Sequence, residues 1–106
     1  MIFRTGNKAT LNKDEVLSYL GEFKKENRSK YHIVKLGLFG SFTRDNANEA
    51  SDIDIAVELE KPKIFDMIGI KQDLEEAFAC SVDIVRIRDN MNKFLKNRIE
   101  KEGIFV

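Results

Sequence analysis

An α/β (α+β) fold, a small mixed β-sheet with helices packed mainly on one face, is predicted for this chain of 106 residues by three observations. Its apolar spacing switches between helical and strand periods in the order helix, strand, strand, helix, strand, helix. The stretch "DIDIAVEL", Asp52 to Leu59, alternates strictly between apolar and polar residues and reads as a strand buried on one face. "HIVKLGLF" and "SVDIV" are β-branched and apolar runs, long enough for strands and too short for helices.

Taken in order, Asn12 with Glu15 three residues on forms a capping-box signature, and Val16, Leu17, Leu20 and Phe23 follow at helical spacing, so a helix is predicted over 13–28. Its polar side, Lys24, Lys25 and Arg28, is expected to face solvent. His32 to Phe39 is predicted as a buried strand, with His32 at its entry and Gly40 as the turn that ends it, and Ser41 to about Arg44 as one helical turn beyond. In Asp52 to Leu59, Ile53, Ile55, Val57 and Leu59 share the core face, while Asp52, Asp54, Ala56 and Glu58 share the other. Pro62 punctuates the chain before a helix over 64–78, whose expected apolar stripe is Ile64, Phe65, Ile68, Leu74, Ala77 and Phe78, with Gly69 inside it. Ser81 to Ile87 is a third strand with Val82 and Ile84 on one face and Asp83, Val85 and Ile87 on the other. A terminal helix follows through "NMNKFLKNRIEKEG", with Phe94, Leu95 and Ile99 as its apolar positions and Gly103 as its stop. The apolar tail Ile104-Phe105-Val106 can add an edge strand, pack on the core or meet a partner.

Length and composition bound the function. The size suits one domain spanning 1–106, and 42% hydrophobic residues supply a modest core beneath a surface enriched in charge, at 34%. Eighteen basic and eighteen acidic residues cancel, and the isoelectric point is 6.6, so no global field draws the chain onto nucleic acid. Strong nucleic-acid binding is not expected, and a polyanionic substrate must be recognised locally. Cys80 beside Phe78 and Ala79 reads as a buried reduced thiol, and a single His32 does not make a histidine metal site. There is no apolar run of about 18 residues and no signal-peptide core at the N-terminus, so no membrane span is expected and the cytoplasm is the expected compartment.

Chemistry concentrates between Leu38 and Glu60. Asp52 and Asp54, two apart on one strand face, have Cα atoms about 6.6–7 Å apart, close enough to converge on one ion or bridge two. Magnesium takes oxygen ligands, keeps waters and lets substrate phosphates complete its shell, so a few carboxylates suffice. A third carboxylate on a neighbouring strand completes a two-metal arrangement, and Asp83 is the candidate. Gly40-Ser41 supplies the other half: glycine allows backbone to approach a phosphate, while free N–H groups and the Ser41 hydroxyl donate to its oxygens. Arg44, one turn along, reaches the same phosphates or pairs with a nearby acid. Each of these has an ordinary structural reading when taken singly, as a solvated carboxylate, a plain turn or a surface arginine. Together on adjacent strands they point to phosphate chemistry.

Gly40-Ser41-Phe42-Thr43-Arg44 followed by Ser51-Asp52-Ile53-Asp54-Ile55 resembles the signature of the DNA polymerase beta-like nucleotidyltransferase superfamily, and is similar in particular to the minimal, single-domain nucleotidyltransferases. The likeness extends to Asp83 in "SVDIV" and to the order of helices and strands. It implies Asp52 and Asp54 as ligands of two magnesium ions, Asp83 as third ligand or base, and Gly40, Ser41 and Arg44 on the nucleoside triphosphate, with ATP as the expected substrate. It also implies transfer of a nucleoside monophosphate to a hydroxyl with release of pyrophosphate. The minimal members are commonly paired, as antitoxins, with a helical partner of the HEPN type, and some adenylylate a tyrosine on that partner. One departure is Asp45, which stands where the family usually has glycine; its side chain and charge either crowd the triphosphate or point to solvent. A non-catalytic antitoxin that neutralises its partner by contact, with a site that is vestigial or only holds nucleotide, stays open beside the enzyme reading, and so does assembly as a homo- or hetero-oligomer. A small-molecule modifier fits the motif but not the length, and a templated polymerase fits neither charge nor surface.

Overall fold

Helix α1 spans Lys13–Tyr31 in the computed structural model, which describes residues 12–40, 53–61 and 63–106. It begins as its sequence dictates. The Asn12 side chain accepts from the Glu15 N–H at 2.9 Å while the Glu15 carboxylate accepts from the Asn12 N–H at 3.2 Å, so two otherwise orphaned donors are satisfied. The helix runs three residues past the predicted end at 28. His32 closes it rather than opening the next strand: it adopts the left-handed conformation, φ 57°, and its N–H donates to the Arg28 carbonyl.

The described residues then form strands β1 (Ile33–Phe39) and β2 (Ile53–Leu59), helix α2 (Ile64–Phe78), strand β3 (Val82–Arg86), helix α3 (Lys93–Glu102) and a short strand β4 (Ile104–Phe105). The sheet order is β3-β2-β1-β4, with β2 and β3 parallel and the other pairs antiparallel. The expected mixed sheet is therefore present, and the C-terminal tail becomes one of its edges. Val106 anchors that tail further, its N–H donating to the Leu36 carbonyl at 2.9 Å and its own carbonyl accepting from Lys24 Nζ at 2.9 Å. Lys24 is thus drawn out of the solvent-facing row predicted for α1.

One face of the sheet carries the main core. Ile33, Leu36 and Leu38 of β1, the alternate residues Ile53, Ile55, Val57 and Leu59 of β2, and Val82 of β3 are buried against Val16, Leu20 and Phe23 of α1 and Ile70, Leu74 and Phe78 of α2. A register shift between Ile33 and Lys35 explains why Ile33 and Leu36, an odd number of residues apart, share that face. Cys80 packs at the margin of this cluster and is half-buried, less sequestered than expected. On the opposite face α3 covers a smaller cluster of Phe39, Ala56, Met91 and Ile99. Two helices on one side and one on the other is the predicted layering.

The stripe predicted for α2 needs correction. The helix buries Ile70, Leu74, Ala77 and Phe78, whereas Ile64, Phe65 and Ile68 at its first turns are 72%, 82% and 45% exposed. The apolar run continues around the first turns, so spacing alone did not separate the buried stripe from the open one. Gly69 has a packing reason: a Cβ there would lie 2.9 Å from the Tyr31 hydroxyl. In α3 the same correction applies to Phe94, which is 85% exposed while Ile99 is buried. Among the described residues no helix is long and apolar enough to cross a membrane.

Candidate active site

Because the even-numbered residues of β2 face away from the main core, Asp54 emerges on the α3 side of the sheet. Phe39 of β1 pairs in register with Asp54, and Asp54 pairs with Asp83 of β3. These three side chains form a row across three adjacent strands, with neighbouring columns about 4.8 Å apart. Asp54 is half-buried in the middle of the row, and Asp83 is exposed at the β3 edge.

Gly40, at the end of β1, abuts this row. It has φ +84°, a conformation that side-chain-bearing residues rarely adopt, and a Cβ at this position would collide with the Asp54 carboxylate. Backbone and carboxylate are in contact there. Hence the glycine of the predicted turn is required both by its dihedral angle and by how closely Asp54 approaches it.

Above the row lies an open cavity of about 450 Å³ that touches both aspartates. Met67, Ile68 and Lys71 of α2 bound it on the β3 side, and Leu95 and Arg98 of α3 roof it, with Phe39 in the floor. The Arg98 guanidinium stands 5.8 Å from the centre of the Phe39 ring and has Glu102 as an ion-pair partner at 3.8 Å. The walls are therefore apolar and cationic, while the centre of the floor is anionic. Such an arrangement suits a polyanion carried with divalent cations better than a neutral ligand.

Of the residues predicted for the site, Gly40, Asp54 and Asp83 are brought together. Ser41, Arg44 and Asp52, together with Asp45 and the expected helical turn after Gly40, lie outside the described residues. Among the described residues no cluster of three metal-ligating side chains occurs, since Asp54 and Asp83 form a pair. The donors present fit magnesium: two carboxylates from adjacent strands on one open face, with room for water and phosphate oxygens.

Arg98, Lys71 and Phe39 were not singled out from the sequence as site residues. For Arg98 a signal existed, because it follows Leu95 by three residues and precedes the buried Ile99, which puts it on the sheet-facing side of α3. Outside the cavity, Tyr31 donates to Asp73 Oδ2 at 2.7 Å. Burial, then that hydrogen bond and the charges of Asp73 and Asp66, push its hydroxyl up to about 12.

Comparison with known proteins agrees with this geometry. A nucleotidyltransferase domain model matches residues 20–106. The chain is 31% identical over 99 residues to the protein adenylyltransferase MntA of Thermococcus cleftensis, an alignment spanning 92% of this chain and 99% of that relative. A solved structure bearing the name of a minimal nucleotidyltransferase superposes with a TM-score of 0.74 at 26% identity, covering 91% of this chain and 97% of its own. A structure of tri-AMPylated Shewanella oneidensis HEPN toxin in complex with MNT antitoxin shares the fold, with a TM-score of 0.65 at 21% identity over 88% of this chain and 70% of that one. With the strand order, the glycine turn and the paired aspartates already in view, the chain belongs to the nucleotidyltransferase domain family, among the minimal nucleotidyltransferases.

Proposed function

We propose that this nucleotidyltransferase is a cytoplasmic protein adenylyltransferase that moves AMP from ATP to a hydroxyl, the tyrosine of a HEPN-type toxin partner, and so acts as an antitoxin. The observation that carries the reading is the register pairing of Asp54 with Asp83 on the open face of the sheet, beside the positive-φ Gly40. The 31% identity to an adenylyltransferase along almost its whole length supports AMP as the group transferred.

In this reading Asp52, Asp54 and Asp83 hold two magnesium ions. When bound, magnesium supplies charge neutralisation and Lewis-acid polarisation of the phosphates. The residues of the chain do the rest. Gly40 lets the backbone come close to the triphosphate, and Ser41 and Arg44 donate to its oxygens. An Asp83 carboxylate oxygen, exposed at the sheet edge where an acceptor can approach, takes the proton from the acceptor hydroxyl. The acceptor oxygen then bonds to the α-phosphorus, the bond from that phosphorus to the β-bridging oxygen breaks, and pyrophosphate leaves with the electron pair.

The test is incubation of the purified protein with α-32P-ATP, magnesium and lysate of its own host, alongside the Asp52→Ala/Asp54→Ala double variant. Label on a protein band with wild type alone supports transfer, and mass spectrometry of that band identifies the modified side chain. Absence of label, with specific capture of the partner retained, defeats the catalytic reading in favour of neutralisation by contact.

A further inference from the structure

Resting on the nucleotidyl-transfer reading, we infer that Arg98 of α3 holds the leaving pyrophosphate, so that the terminal helix contributes a phosphate-binding residue that the Gly-Ser turn and the aspartates do not provide. The inference follows from the order of side chains across the sheet. Phe39, Asp54 and Asp83 lie in one row, with Asp54 in the middle. Displacement at phosphorus is in line: attacking and departing oxygens sit on opposite sides of the phosphorus. Among the described residues strand β3 is an edge of the sheet, and Asp83 on it is exposed, so the acceptor enters from that side. With the α-phosphorus over the middle column, the pyrophosphate must depart toward β1, which is the side of Phe39 and Gly40.

Arg98 stands there. Its guanidinium lies over the Phe39 ring at 5.8 Å, it lines the cavity that contains both aspartates, and its side chain is about half exposed, at 52%. Stacking on an aromatic ring holds the planar group in place while leaving its N–H edges available. The pairing with Glu102 at 3.8 Å is longer than a hydrogen bond and lies between neighbours on one helix, so an incoming polyanion displaces it readily. Lys71, the other cation lining the cavity among the described residues, comes from α2, which packs toward β3, the acceptor's side. Pyrophosphate carries several negative charges and offers the paired oxygens that a guanidinium fork grips in a bidentate manner. When the α-phosphorus bond to the bridging oxygen breaks, the electron pair and the new charge stay on the pyrophosphate, where Arg98 stabilises them.

The experiment is calorimetric titration of wild type, Arg98→Gln and Arg98→Lys with pyrophosphate, ATP and AMP in magnesium buffer. Arg98→Gln is expected to weaken pyrophosphate and ATP binding about 10-fold or more, the worth of a charge-assisted pair, while AMP binding stays within about twofold. Arg98→Lys, which keeps the charge but not the fork, falls between. Unchanged pyrophosphate affinity in Arg98→Gln overturns the assignment, as does an equal loss for AMP and pyrophosphate, which reports a general collapse of the cavity. If Arg98→Gln does not fold, Arg98→Lys decides, and wild-type pyrophosphate affinity in it overturns the bidentate grip. A wild type that binds ATP normally isolates any failure to Arg98; a wild type that binds neither ATP nor pyrophosphate overturns the underlying transfer reading and this inference together.

Discussion

Substituting Gly40 by alanine tests the link between backbone shape and the site most directly. The residue sits at φ +84°, and the added methyl would meet the Asp54 carboxylate. Forcing an L-residue into left-handed backbone costs about 1–2 kcal/mol, and relieving the overlap requires either Asp54 or the end of β1 to move. A total near 2 kcal/mol is expected, which for a chain of this size lowers Tm by about 8–16 °C. The two contributions are separable. In Asp54→Ala the obstructing carboxylate is gone, so adding Gly40→Ala on that background should avoid the steric part and incur only the dihedral cost, making the double variant less destabilised than the sum of the singles by about 0.5–1 kcal/mol. Thermal and urea unfolding followed by circular dichroism measure all four proteins. A fall in Tm under about 3 °C for Gly40→Ala refutes the strain argument, and strict additivity in the cycle refutes the contact with Asp54.

Three further outcomes follow from other parts of the molecule. Magnesium with ATP at about 100 times its dissociation constant should raise stability by about 2.7 kcal/mol, and Asp83→Asn should remove most of that gain when melting is repeated; an equal gain in the variant would exclude Asp83 from the ligand set. Tyr31→Phe removes the 2.7 Å bond to Asp73 and should cost about 0.5–1.5 kcal/mol at neutral pH by urea unfolding. Because the folded state raises the Tyr31 hydroxyl from 10.0 to about 12, the proton is held more tightly when folded. The associated stability is thus complete below pH about 10 and lost as pH rises toward about 12, so wild type should lose stability more steeply than Tyr31→Phe across that window; parallel curves would contradict it. A Cβ at Gly37 would lie 2.6 Å from the Phe105 ring, so Gly37→Ala should displace β4 and speed hydrogen exchange at the Val106 N–H, with a loss of about 1–3 kcal/mol; unchanged exchange would show that β4 adjusts without leaving the sheet.

Where two residue types alternate or a cap has a fixed chemistry, the sequence was a sufficient guide. The Asn12–Glu15 box, the core face of β2 and the split of β3 into Val82/Ile84 and Asp83/Val85/Ile87 are all as the pattern implied. The end of α1 was missed because His32, a residue type without a strong capping preference, terminates it through a left-handed conformation that no glycine advertised. The stripe of α2 was misjudged because Ile64, Phe65 and Ile68 are as apolar as the residues buried one turn later, and hydrophobicity does not say which of two adjacent stripes finds a partner. Asp54 and Asp83 stood out in the sequence as acids inside apolar strands, and the structure sets them side by side, whereas Asp52 lies outside the described residues. Arg98 was not, because a basic residue in a helix of mixed charge looks like surface until the helix is known to lie across Phe39.

The acidic row and the core are two consequences of one alternation. Ile53 and Ile55 are fully buried against α1 and α2, and the residue between them has no choice but the α3 face. Among the described residues that face is sparsely covered. Ala56 and Gly37 carry little side chain, and α3 reaches the sheet through Ile99 and Leu95 onto Phe39, Ala56 and Val85, leaving the end of the sheet around Asp54 and Asp83 open. The larger core on the opposite side holds the strands in register, so the carboxylates stay next to each other although their mutual repulsion favours separation. A one-residue slip of β2 would send Asp54 into the main core and Ile53 and Ile55 into the cavity, which is why pattern and pairing must agree here. Conservative changes among Ile53, Ile55 and Val57 should therefore alter stability with little effect on the site, whereas a single-residue insertion in β2 should abolish both at once.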